Sequence, residues 1–536
     1  MIADVREGAG LHSYDGVVQD LSEAAVRTGL AALGSPALLS RPHHRRNGFP
    51  GDPGAAAGPG LGTDPDAATG SGAATGSGAG SGADRRHDEA HLGAFETGLR
   101  WYFGDYQAHR RDPLLHLAGL DLACYDREYA PEPERAASRA QHVALWPDAI
   151  DVAVTTLDSV PAPVAAALLP AVRGLTAALN GPVPPAGEAV IEAARTAHAR
   201  LVAHLEGVAV TGNPDCAVGA DVLARSLGAF EATKVDLEKL DERADEERDR
   251  LTTLLAQACA QLDPHLPTAQ VVAGLLADHP AIEGVIEEAR SVTAEVLAFT
   301  REHNLTPWTD GECLVGPAPE SRRWAMAMMS WAGPEEADAP SWYHVTPPDP
   351  SWPEEEIAEW LAVFSRTALP AITVHEVAPG HYAHSRSLRR LTSPVRRQLI
   401  GGTFTEGWAH YAEEMVIEQG FRADDPRYLA GMCLEALIRV TRLVCSIGLH
   451  TGILTVDDAT ERFRRDAFLG GSAARSEAQR GTFDIGYGRY TQGKFAILDL
   501  RERARQQWGA DFSLPRLHTA LLELGAPPIG LIRAAL

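Results

Sequence analysis

The sequence predicts a mainly α-helical protein with one small β element beside its candidate active site. Three observations carry that expectation. Apolar residues recur at helical spacing through most of the chain after residue 87. One stretch, Ser341-Trp342-Tyr343-His344-Val345-Thr346, is aromatic and β-branched and is closed by Pro347-Pro348, as a strand would be. Two histidines and two glutamates of hydrolase type, His375, Glu376, His381 and Glu406, follow on segments that read as helices.

At 536 residues the chain can bury a large core and hold two or three subdomains. Residues 1–46 read as an N-terminal segment of the main domain. Residues 47–86 are dominated by Gly, Ala, Ser, Thr, Asp and Pro, and Thr69-Gly70-Ser71-Gly72-Ala73 is echoed a few residues on. Such a stretch has little to bury and is expected to be a disordered insertion. Residues 87–310 are expected to form a helical subdomain and 311–536 the catalytic one. Glu188 to Leu205 has apolar residues at helical spacing. Ala220 to Leu262 reads as a long exposed helix or a helical hairpin. Pro319-Glu320-Ser321 is expected to open a helix running to about Trp331. Beyond the strand, Pro353 to about Thr367 reads as one helix, and Pro370 opens the next, which carries His375 and Glu376.

The formal charge is −24 and the pI about 5.3. That argues against nucleic acid and anionic membrane as main partners. The six cysteines are scattered without a C-x-x-C pair, against a thiolate metal site or a disulfide framework. Met1 to Tyr14 has no basic n-region and no apolar h-region, and no uninterrupted apolar run reads as long enough to span a bilayer. The expectation is a cytoplasmic protein.

The chemistry concentrates in His375-Glu376-Val377-Ala378-Pro379-Gly380-His381. Metal-binding histidines four apart share one helix face, but here they are six apart. On an unbroken helix six residues turn through about 600°, which carries His381 off the face of His375. Pro379 cannot donate to the turn before it and Gly380 tolerates unusual dihedrals, so a break there is expected to swing His381 back. Glu406 follows on the next helix, in TFTEGWAHYAEEM. Three protein ligands leave one position for water, the catalytic arrangement, and Zn2+ is the expected cofactor. A lone buried histidine is more often a hydrogen-bonded core residue. It is the spacing of the two, with Glu406 on a following helix, that favours a metal.

HEVAPGHYAH, EGWAHYAEEM, LIRVTRLVCSIGLHTG and RYTQGKFAILDLRERA resemble a large bacterial family known as domain of unknown function 885. That family is grouped with zincin-like metallopeptidases related to the helical oligopeptidases and dipeptidyl carboxypeptidases. GLHSYDGVVQDLSEA, DPLLHL and WYHVTPPDP are similar too, so the resemblance covers nearly all the chain. It implies a zincin-like helical architecture, with His375 and His381 as ligands, Glu376 as general base and Glu406 as third ligand. At the position of His384 the family often has glutamine, which leaves His384 as a substrate contact or a further ligand. Relatives carry a leading segment before the position of GLHSYDG, which implies a first helix upstream of Met1.

A hydrolase also needs donors for a developing oxyanion. Tyr490 matches the family position for this, with Tyr487 as fallback and helix packing as the alternative role. His450 could hold substrate or simply favour a helix C-terminus. His410, four residues after Glu406, could orient Glu406 or touch substrate. Arg439 or Arg442 could bind a substrate carboxylate, although paired arginines are commoner. His12 and Asp15 could fold toward the site or form a turn. Together these readings predict a zinc-dependent hydrolase of short peptides. Its rivals are a metal-dependent hydrolase or lyase of a non-peptide small molecule and a non-catalytic helical binding protein.

Overall fold

Apolar residues at helical spacing give each helix one face to bury, and here the buried faces gather into two cores. The computed structural model describes residues 3–34, 82–181, 184, 186–323, 325–336 and 338–536. It is 68% helix and 3% strand. One core runs from Leu117 to Leu205, the other from Leu223 to Ala535. Residues 223–305 therefore pack with the motif-bearing half, and the apolar core divides well before residue 310. Of the expected insertion, residues 47–81 lie outside the described residues, and 82–86 open the helix Gly82–Leu99.

The first core is built by the helices Glu132–Ala144, Trp146–Thr156, Ala162–Gly174 and Glu188–Thr211. The stretch Ala162–Asn180 is long and apolar enough, by length and composition, to cross a bilayer, contrary to the sequence reading. Its Val164, Ala165, Leu168, Val172, Leu175 and Leu179 pack into this core. The expected helix or hairpin at Ala220–Leu262 is two helices, Ala220–Gly228 and Leu237–Leu262.

The expected strand forms as β3 (Ser341–Val345), the centre of a three-stranded sheet. β1 (Cys313–Pro317) pairs with it in parallel and β2 (Ala327–Ser330) antiparallel. The helix expected from Pro319 to Trp331 does not form: Glu320–Arg322 makes one 3-10 turn and the chain then enters β2. Pairing with the open edge of β3 satisfies backbone groups that a local proline signal cannot report. Tyr343 of β3 reaches the helix before His375, its hydroxyl 3.5 Å from Thr373 Oγ1. The sheet thus braces the motif.

The N-terminal segment docks on the same region. Trp331 Nε1 donates to the Gly8 carbonyl at 2.9 Å, and Arg322 holds both carboxylate oxygens of Glu7. His12 bridges Asp15 and Glu336.

Candidate metal centre

The helix Leu369–Glu376 is buried along its whole length, so its LPAITV run has no outward face. It stops at Glu376 and a new helix starts at His381 (His381–Leu388). A Cβ on Gly380 would collide with the carbonyl oxygens of His375 and Val374, so only glycine lets the chain double back here. The Gly380 amide donates to the Val374 carbonyl at 3.2 Å. The break brings the two imidazole rings to 4.7 Å between centroids.

Glu406 lies in the helix Gly402–Glu418. Trp408, two residues on, donates its indole N–H to the Pro379 carbonyl at 2.8 Å and ties this helix to the break. On the next face, Gly407 touches the backbone of Gly493 in the helix Arg489–Trp508, an approach that a Cβ on either would prevent. That crossing sets Tyr490 beside the motif, its ring 6.1 Å from that of His375.

His375 Nε2 lies 3.4 Å and His381 Nε2 3.3 Å from the same oxygen, Glu406 Oε2. One ligand atom from each residue falls within 4.8 Å of the others. Two ligands about 2.0–2.1 Å from a tetrahedral zinc are roughly 3.3 Å apart, so these separations match edges of that tetrahedron. The electrostatics agree. Burial would raise the Glu406 carboxyl, but the His381 and His375 rings hold it well below the usual carboxylate range. Burial and Arg439 oppose a charge on His375, yet Glu406 and Glu413 outweigh them and lift it to about 9. A pocket that draws a proton onto imidazole between two carboxylates is also suited to a cation. The residues present fit a zinc ion.

Glu376 is buried, and its Oε2 has no hydrogen-bond partner among the described residues. Burial pushes its carboxyl up, against the pull of His381 and His375. A buried oxygen without a partner, on a carboxyl that feels the charges of His381, His375 and Glu406, is a costly feature that calls for a functional role.

Sequence reasoning missed Glu413. Its fully buried carboxylate accepts from His375 Nδ1 at 2.6 Å and from His410 Nδ1 at 3.1 Å, and pairs with Arg439 Nη2 at 3.2 Å. The first bond fixes the tautomer that leaves His375 Nε2 free as a ligand. Glu413 lies seven residues after Glu406, two turns along the same face, which is the signal that could have found it.

The remaining candidates spread out. His410 serves Glu413 rather than Glu406. His384 gives its Nε2 to the Gly525 carbonyl at 3.1 Å, and burial lowers its ring to about 4. Arg442 does not present a free guanidinium: it binds both oxygens of Glu477 at 2.7 Å, 5.0 Å from the Tyr490 ring. His450 closes the helix Pro426–His450, about 16 Å along the axis beyond Arg439, and faces the backbone of Cys216 and Gly481. Tyr487 hydrogen-bonds Glu477. His12 and Asp15 fold onto the wall of the adjoining cavity, not onto the ligands.

That cavity, of about 610 Å³, is walled by the N-terminal segment, the first core and the motif half. The three candidate ligands do not line it. Trp331, which packs 6.2 Å from the His381 ring, does, with Gly402, Thr403 and Arg489 beside Glu406. Glu406 keeps 22% of its side-chain surface exposed, against 3% and 8% for the two histidines, so it is the most accessible ligand.

The fold is similar to two solved structures. A "putative lipoprotein of unknown function" from Shewanella oneidensis aligns over 99% of this chain and 95% of its own, with 19% identity and a TM-score of 0.72. A "putative lipoprotein" from Colwellia psychrerythraea aligns over 85% and 86%, with 15% identity and a TM-score of 0.70. No curated protein matches the chain. Lipoproteins are membrane-anchored or secreted, so the cytoplasmic expectation does not stand. It rested on the composition of Met1 to Tyr14, which does not fix a location. Residues 83–536 match the family described as "Bacterial protein of unknown function (DUF885)", and the chain belongs to that family.

Proposed function

We propose that this protein is a zinc-dependent hydrolase that cleaves an amide bond of short peptides, with a zincin-like arrangement of its motif helices. The observation that carries the reading is the convergence of His375, His381 and Glu406 at tetrahedral-edge distances, with a buried oxygen of Glu376 on a carboxyl that feels their charges.

His375, His381 and Glu406 would hold the ion. Zinc bound there supplies Lewis-acid polarisation of the substrate carbonyl and acidifies a water. Glu376 would take a proton from the attacking water at Oε2 as the water oxygen bonds to the carbonyl carbon, and would return it to the amide nitrogen as the C–N bond breaks. Tyr490 Oη accepts from Arg480 Nη2 at 3.2 Å, which leaves its own hydrogen free for the oxyanion. Glu413 keeps His375 oriented through Nδ1. The buried helices and Trp331 restrict access, which supports short peptides over folded proteins.

Substituting Glu376→Gln should leave zinc content at the wild-type level and lower turnover of a short-peptide mixture by about 100- to 10,000-fold. Wild-type turnover in that variant would overturn the mechanism.

A further inference from the structure

Three guanidiniums gather around Tyr490. Arg442 lies 5.0 Å and Arg480 6.0 Å from its ring, and Arg489 precedes it in the chain. Two carboxylates answer them. Arg442 occupies both oxygens of Glu477, while Arg480 and Arg489 share Asp484. Two further acids feel Arg489. Glu406 belongs to the ligand set, and burial pushes the Glu231 carboxyl up. The patch lies inside a chain whose net charge is −24.

Arg480 and Arg489 both line the cavity, and Arg489 is the more exposed of the two. Its side chain is 30% exposed, against 13% for Arg442 and 15% for Arg480. Nε donates to the Gly486 carbonyl at 2.8 Å and Nη2 to Asp484, and Nη1 makes no hydrogen bond among the described residues. Its stem crosses Gly402, with Cδ 3.8 Å from the place a Cβ would take. Gly402 is one turn before Glu406 on the same helix face, a rise of about 5.4–6 Å. One residue of extended peptide spans about 3.3–3.6 Å, so Arg489 stands one to two residues from the ligand set.

Resting on the hydrolase reading above, we propose that Arg489 recognises a carboxylate of the substrate, one or two residues from the scissile carbonyl. The group is either the free C-terminus of a short peptide or an acidic side chain at that distance. Guanidinium is suited to the task because its planar donors match a carboxylate and it stays charged at every working pH. The pairing with Asp484 and Gly486 holds the fork in place through Nε and Nη2, on a residue that lines the cavity.

The test is calorimetric binding to the full-length, zinc-supplemented Glu376→Gln protein, which holds peptides without turning them over. The probes are N-acetyl-trialanine as the free acid, its C-terminal amide, and an amidated N-acetyl tripeptide with one aspartate. The expected result is about 10- to 100-fold tighter binding of the free acid than of the plain amide, with the preference lost on adding Arg489→Gln. An aspartyl amide as tight as the free acid assigns the carboxylate to a side chain; one as weak as the plain amide assigns it to the C-terminus. Equal affinity for the free acid, the plain amide and the aspartyl amide in the protein that retains Arg489, or no binding of any probe, overturns the proposal without needing the Arg489 variant to fold. A loss shared equally by acid and amide on Arg489→Gln overturns it too. Failure of the hydrolase reading looks different: wild-type protein would prefer acids yet cleave no peptide.

Discussion

The buried carboxylate of Glu413 gives the sharpest test of how the centre is held. It meets three donors at once, His375 Nδ1, His410 Nδ1 and Arg439 Nη2, with no side-chain exposure. Glu413→Gln keeps the volume but removes the charge and leaves one acceptor oxygen. At least one imidazole must then face an amide N–H. Losing the partner that fixes a ligand histidine typically weakens metal binding about 10- to 100-fold, or about 1.4–2.7 kcal/mol. Breaking one side of a buried ion pair costs about 3–5 kcal/mol. Arg439 retains Glu435 at 2.9 Å, so the stability loss should fall near the lower end, about 3 kcal/mol. Zinc affinity is read by competition with a chromogenic chelator, and stability by urea unfolding on the same preparations. Zinc affinity within twofold of wild type would refute the positioning role, even with a lowered urea midpoint. An unchanged midpoint would refute the buried ion pair as well.

Two further outcomes follow from the geometry. Gly380→Ala places a methyl group against the His375 and Val374 carbonyls, so the break cannot form as it stands; purified protein should hold less than about a tenth of the wild-type zinc, and full loading by elemental analysis would count against the doubling-back. Far from the ligands, His12 sits between Asp15 and Glu336. Burial opposes its charge, but the two carboxylates lift it from 6.5 to about 9. A raised histidine stabilises the fold fully below pH 6.5 and loses that contribution as pH climbs to 9. The shift corresponds to at most about 3 kcal/mol, screened to about 1–2 because the ring is partly exposed. Urea midpoints from pH 6 to 9.5 should therefore fall more steeply for wild type than for His12→Gln, and parallel slopes would refute the contribution of His12 to stability.

What could be read from the chain differs by residue. His375, His381 and Glu406 were legible because few residue types bind zinc and the Pro-Gly insertion announces a break between the histidines. The β3 strand was legible because aromatic and β-branched residues ended by two prolines leave little alternative. The β2 strand was not, since its reason is the edge of β3, a tertiary partner. Arg442 was a candidate for a substrate carboxylate with pairing as the commoner reading, and the fold brings Glu477 to it from another helix. His450 was chosen by residue type, and only the helix shows that it lies turns away from the ligands. Glu413 stayed hidden because acidic residues on a helix are usually solvated; its zero exposure is a property of packing, not of local pattern. The composition of Met1 to Tyr14 suggested a cytoplasmic location that the lipoprotein neighbours overturn.

The most direct measurement is metal content by elemental mass spectrometry, on wild type and His381→Ala purified without a metal-affinity tag. The account predicts about one zinc per wild-type chain and near none in the variant, since two ligands do not make a closed site. Wild-type protein that takes up no zinc on reconstitution, or a variant that keeps a full complement, would contradict it.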